Sequence, residues 1–252
     1  PAPAVRRISV GDVRDALRQG FVDFEAYRTD VIFLCVVYVA LGLVLARLAF
    51  GMDMLPLLFP LASGFAIIGP FAAIGLYEMS RLREQGVDVK WSNAFDVFRA
   101  PAVGAISILG LALIATFLVW LAAAWGIYHA TLGPEEPQSL GTFLNAVFFT
   151  SAGWTLIVVG VGVGFLFAVF AMAISVVSFP LLLDRDVGLD TAIRTSVRAV
   201  TNNIVPMAAW GLIVAAALVI GSIPLFIGLV VVIPVLGHAT WHLYRKLVAN
   251  PA

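Results

Sequence analysis

Residues 145–183 read NAVFFTSAGWTLIVVGVGVGFLFAVFAMAISVVSFPLLL, with no Asp, Glu, Lys, Arg or His among them. A bilayer core about 30 Å thick needs roughly 20 apolar residues at 1.5 Å per residue, so the stretch exceeds one crossing. Its length predicts a short helix near 141–149 followed by a span over about 154–182, with one long tilted helix as the alternative. Comparable apolar runs lie on either side, at about 31–50, 55–77, 103–128, 204–220 and 225–241. The expected fold is therefore all-α: a polytopic membrane protein of six transmembrane helices, forming one integral membrane domain over 1–252. The composition agrees, since 62% of the residues are hydrophobic and 12% charged, against roughly a quarter charged in soluble domains. Pro56, Pro60 and Pro70 predict a kink in the second span.

Fifteen basic and fifteen acidic residues cancel, which leaves no basic excess for nucleic acid. Their placement is more informative. With six spans, every Lys and Arg except Arg47 falls on one side: Arg6, Arg7, Arg14, Arg18, Arg28, Arg81, Arg83, Lys90, Arg99, Arg185, Arg194, Arg198, Arg245 and Lys246. The positive-inside rule makes that side the cytoplasm and puts both termini there. No cleavable leader is legible in PAPAVRRISVGD, so targeting is expected to rest on the first span.

Between the spans lie polar, amphipathic segments. Residues 10–24 put Val13, Leu17, Phe21 and Phe24 on one face; 92–99 carry Phe95 and Phe98; 184–203 alternate Ala192, Val197 and Val200 with Arg194 and Arg198, with Asp190 as a candidate N-cap. Such a segment precedes spans one, three and five, which suggests a threefold repeat of interfacial helix plus helical hairpin.

Few residues invite chemistry. Cys35 is the single cysteine, which excludes an internal disulfide and thiolate metal clusters. HExxH, GxSxG and GxxxxGK[ST] are absent. The run Gly160-Val-Gly-Val-Gly sits inside a span, so it is no nucleotide loop; Gly160 and Gly164 form a small-xxx-small face for close helix approach. That face serves packing within the bundle, with Gly104, Gly110 and Gly126 as receivers, or docking to a partner membrane subunit. His238 and His242 share a helix face and are weak candidates for a metal or haem; interfacial hydrogen bonding is the plainer reading, and no cofactor or metal is expected. No ionisable residue lies mid-membrane, which argues against an ion-coupled pump. Glu78, Arg81, Arg83, Asp184, Arg185, Arg194 and Arg198 form either solvated loop charges or an inner-face docking surface.

Four stretches carry a resemblance: Gly69-Pro-Phe-Ala-Ala-Ile-Gly-Leu-Tyr-Glu-Met-Ser-Arg, Ser178-Phe-Pro-Leu-Leu-Leu-Asp-Arg-Asp-Val, Thr191-Ala-Ile-Arg-Thr-Ser-Val-Arg-Ala-Val and Gly237-His-Ala-Thr-Trp-His-Leu-Tyr-Arg. Over nearly the whole chain the sequence resembles an uncharacterised bacterial family of integral membrane proteins, known only as a domain of unknown function. Some of its members are labelled cytochrome c oxidase subunits. The resemblance implies a bacterial inner-membrane protein, associated with lipids and with another integral membrane protein or complex such as cytochrome c oxidase. It supplies no catalytic residues. The leading expectation is a non-catalytic accessory or assembly subunit, and the alternative is a transporter or channel for a lipid or small apolar solute. A mid-membrane cavity walled by Ser175 or Thr116 favours the alternative; a glycine face covered by another subunit favours the accessory role.

Overall fold

The computed structural model describes residues 3–26, 55–133, 139–224 and 227–249. Helix α1 occupies 10–26. A short 3-10 turn at Leu55–Leu57 leads into α2 (Leu58–Ala72) and α3 (Ile74–Glu84), and a second 3-10 helix covers Trp91–Arg99. Then come α4 (Val103–Thr131), α5 (Leu140–Phe149), α6 (Ser151–Ser175), α7 (Ser178–Asp184), α8 (Leu189–Asn202), α9 (Ile204–Ser222) and α10 (Leu229–Leu247).

Four helical stretches are long and apolar enough to cross a membrane among the described residues: Phe59–Glu84, Val103–Thr131, Ser151–Asp184 and Ile204–Ser222. The expectation of six spans is corrected accordingly. The run at 31–50 lies outside the described residues. The run at 225–241 belongs to α10, whose apolar start gives way to His238, His242, Arg245 and Lys246, and whose second half is buried against α3. Its polar second half keeps it below the apolarity of the four stretches.

Each interruption has a local cause. Pro70 has no N–H for the Ala66 carbonyl, and α2 gives way to α3 at Ala73. The 145–183 stretch divides where Thr150 caps α6, its hydroxyl accepting from the Gly153 N–H at 3.0 Å. Gly153 leaves room there for the carbonyls of Ala146 and Val147, which a Cβ would strike. Farther on, the helix breaks again at Val176–Val177, and the Val177 N–H is satisfied by the Ser196 hydroxyl of α8 at 3.2 Å. Helix α3 ends in a left-handed Gly86, φ +78°, with the Val87 N–H returning to the Leu82 carbonyl. Asp190 does not cap α8; the N-cap is Gly188, and Asp190 pairs with Arg194 at 2.8 Å.

Helix α4 packs between α2 and α6, α10 packs on α3 and α9, and α8 packs on α6 and α7. Because successive spans alternate in direction, 85–102 and 185–203 emerge on the same side. Ion pairs bring α1 and the end of α10 to that side too: Asp23 pairs with Arg83 and His242, Lys246 with Asp15, and Arg245 with Glu84 and Asp184. These segments carry the described Lys and Arg residues to one face, the basic face, together with the acidic residues that pair with many of them, while Arg28 and Arg47 lie outside the described residues. Helix α1 lies against α10 so closely that a Cβ on Gly20 would come within 2.7 Å of the Val235 carbonyl. The preceding strand-like segment is tied by the Ile8 N–H donating to Asn203 Oδ1 at 2.8 Å and by a bridge from Val5 to Val248.

Candidate functional site

Two features stand apart from ordinary packing: a buried polar cluster under the basic face and an apolar cleft between spans.

Asp23 of α1 is the hub of the cluster. It is 5% exposed and accepts from three side chains on two helices, α3 and α10: the Ser80 hydroxyl at 2.6 Å, the Arg83 guanidinium and His242 Nε2 at 2.8 Å. Burial disfavours its charge, but the hydrogen bonds from His242 and Ser80 outweigh that and hold its carboxyl below the ordinary aspartate range. The Ser80 oxygen also lies 2.7 Å from Nδ1 of His238. A hydroxyl has one proton, and an ionised Asp23 can only accept it. Ser80 therefore accepts from His238, which fixes the imidazole as the Nδ1–H tautomer. Its other nitrogen, Nε2, then carries a bare lone pair. It makes no hydrogen bond among the described residues, and His238 is fully buried. Burial pushes the His238 imidazole down to about 4.

This set contains Ser, His and Asp, yet it does not form a nucleophile. The serine proton goes to the carboxylate rather than to a base, and Ser80 is 2% exposed. His238 and His242 do not share a ligand site either: one ring meets Ser80 and the other Asp23. Among the described residues, no group of three or more His, Cys, Asp or Glu is placed to hold a metal.

A second layer surrounds the hub. Glu84 accepts from Trp241 Nε1 at 3.0 Å and pairs with Arg245 at 2.9 Å. Asp184 accepts from the Tyr244 hydroxyl and from Arg245 and Arg185. Burial and that bond to Asp184 raise the Tyr244 phenol above its usual range. Arg185 also donates to the Ala249 carbonyl. Glu78 binds Arg81 through two hydrogen bonds on its own helix. The anticipated inner-face charges thus fall into separate pairings: Glu78 with Arg81, Arg83 with Asp23, and Asp184 with Arg185. Arg194 is held on the surface by Asp190, and Arg198 is exposed with no ion pair among the described residues. Sequence reasoning missed Asp23, Ser80, Glu84, Trp241 and Tyr244. Asp23 carried one signal, a carboxylate among the apolar positions Phe21, Val22 and Phe24.

The cleft has a volume of about 580 Å³ and lies between α2, α6, α9 and α10. Ala66, Gly69, Pro70 and Ala73 line it at the α2–α3 break, opposite Met172 and Gly211. Phe165 and Leu212, 64% and 72% exposed, stand at its lips on α6 and α9, so it opens toward hydrocarbon. Ser175 and Thr240 are in its wall, but their hydroxyls are spent on the Ala171 and Leu236 carbonyls of their own helices. Thr116 is not in its wall; its hydroxyl binds the Ala112 carbonyl. The glycine face of α6 is divided. Gly164 lies against Trp120 of α4, where a Cβ would be 3.0 Å away, whereas a Cβ on Gly160 would meet nothing within 4 Å among the described residues. Of the anticipated receivers, Gly110 packs on Phe71 of α2, and Gly104 and Gly126 meet nothing among the described residues.

Apolar spans, a single basic face and a buried polar cluster beneath it define a polytopic helical membrane protein. Residues 57–184, half of the chain, match the family described as predicted integral membrane protein (DUF2189), and the chain belongs to that family. The match covers the α2–α7 portion rather than nearly the whole chain. No curated protein and no solved structure matches the chain, and nothing in these comparisons links it to cytochrome c oxidase.

Proposed function

We propose that the protein takes up an apolar chain, of a lipid or a small apolar solute, from the bilayer into the cleft between α6 and α9. The cleft itself carries this reading: an opening of about 580 Å³ at membrane depth, with apolar walls and exposed lips. A packed helical bundle normally leaves few voids larger than a water molecule. Here the α2–α3 break and the small side chains of Ala66, Gly69, Ala168, Ala208 and Gly211 keep the walls apart. The polar cluster holds α1, α3 and α10 in place below it. The role involves no catalysis by the chain, and the basic face is cytoplasmic by the positive-inside rule.

Filling the cleft tests the proposal. A Cβ on Gly211 would lie 3.6 Å from the Met172 sulfur, so the backbone there has ordinary room and a larger side chain must enter the cleft. Gly211→Phe is expected to leave the protein folded and to reduce phospholipid retained in native mass spectrometry by at least about fivefold. Unchanged retention in a folded variant would contradict the reading.

One observation favours the accessory-subunit role as a second reading. Among the described residues, a Cβ on Gly160 or Gly162 of α6 would meet nothing within 4 Å, and Val158, Val161 and Leu166 beside them are exposed. Purification in a gentle detergent, with mass spectrometry of co-purifying chains and haem absorbance, tests it. A protein that emerges without another membrane chain rules this role out.

A further inference from the structure

The cleft's polar end is more specific than its apolar walls. Inside it, Ser175 and Thr240 have turned their hydroxyls onto their own helices, so a ligand finds little to hydrogen-bond at depth. A ligand with a polar group must therefore present it at a mouth. The mouth at the basic face is formed by Val200, Thr201 and Ile204, where α8 meets α9. Arg198 stands three residues before Thr201, on the same side of α8, about 5–6 Å away between Cβ atoms. It is exposed and has no counter-ion among the described residues, whereas Arg194 on the same helix is neutralised by Asp190. From Ile204 to Leu218 the cleft follows α9 for about 20 Å, the length scale of a lipid chain in one leaflet of a bilayer about 30 Å thick.

We infer that the occupant is an anionic phospholipid from the leaflet on the basic face, with its phosphate-bearing headgroup at Arg198 and one acyl chain along α9. This rests on the reading of the cleft as an acyl-chain site and adds the charge of the headgroup. An isolated guanidinium at a membrane surface attracts phosphate, and the apolar path beginning beside it accepts the chain.

The test uses the full chain reconstituted in phosphatidylcholine vesicles that contain a small fraction of photoactivatable lipid. The probe is phosphatidylglycerol or phosphatidylcholine with a diazirine in the acyl chain. The expected result is labelling of the 204–218 peptide of α9 by both probes, with phosphatidylglycerol favoured about fivefold. Raised salt is expected to reduce that preference. Arg198→Gln should abolish the preference without abolishing acyl labelling, and Arg198→Lys should keep most of it. Equal labelling by the two probes, or a preference that survives Arg198→Gln, overturns the headgroup assignment while leaving the cleft reading intact. Absence of cleft labelling by either probe overturns both.

Discussion

Replacing Asp23 with alanine is expected to destabilise the folded bundle by about 3 kcal/mol, the lower end of the range for removing one partner of a buried ion pair. The reason is the number of groups that share this carboxylate. Ser80, Arg83 and His242 all donate to it, from two different helices. Without it the Ser80 hydroxyl, the Arg83 guanidinium and the His242 ring each lose this shared acceptor near the interior. The side chains of Arg83 and His242 are 31% and 16% exposed, so water recovers part of the loss. For a chain of this size the melting midpoint should fall by about 6–12 °C. Asp23→Asn, which keeps one acceptor, should lose less. Thermal melting of the full chain in a mild detergent checks both variants, and an Asp23→Ala midpoint within a degree of the native protein would refute the hub.

The second large effect depends on pH. His238 is buried as a neutral ring with Asp23, His242 and Arg83 around it, the Ser80 oxygen on Nδ1 and the Leu76 carbonyl toward the ring. Burial lowers its folded-state value from 6.5 to about 4. Between those values the unfolded chain binds more protons than the folded one, so stability is full above about pH 6.5 and falls as pH drops toward 4. The loss over the window is on the order of 3 kcal/mol. Asp23 acts lower on the scale: its contribution is present above the ordinary aspartate value and disappears as pH falls through its lowered folded-state value. Melting midpoints between pH 7 and 4 should therefore slope downward in the native protein. His238→Asn keeps a donor toward Ser80 but has no titrating ring, and it should flatten that slope. An unchanged slope would show that His238 is not the group responsible.

Much of the architecture was legible because hydropathy and charge act locally. The apolar runs at 55–77, 103–128, 154–182 and 204–220 correspond to the four membrane-crossing stretches, and the short helix expected near 141–149 is α5. The 225–241 run misled because a window of apolar residues says nothing about the polar turns that follow it: Leu229–Gly237 looks like the start of a span, and His238–Lys246 is built to meet α3. The spacing of His238 and His242 was visible, but its meaning was not. Their partners Ser80 and Asp23 lie 158 and 219 residues away, and pairings at that separation leave no local pattern. The cleft was hidden for a different reason. Gly211 and Ala168 read as ordinary small residues of membrane helices; that they line a cleft together with Gly69 and Pro70 depends on how distant helices pack.

The most direct test of the cleft is an experimental structure of the full chain in a lipid nanodisc. Uptake of a lipid chain predicts elongated non-protein density between α6 and α9, starting beside Thr201 and running toward Leu218. A cleft closed by α6 resting directly on α9, or filled by the chain's own residues, would contradict it.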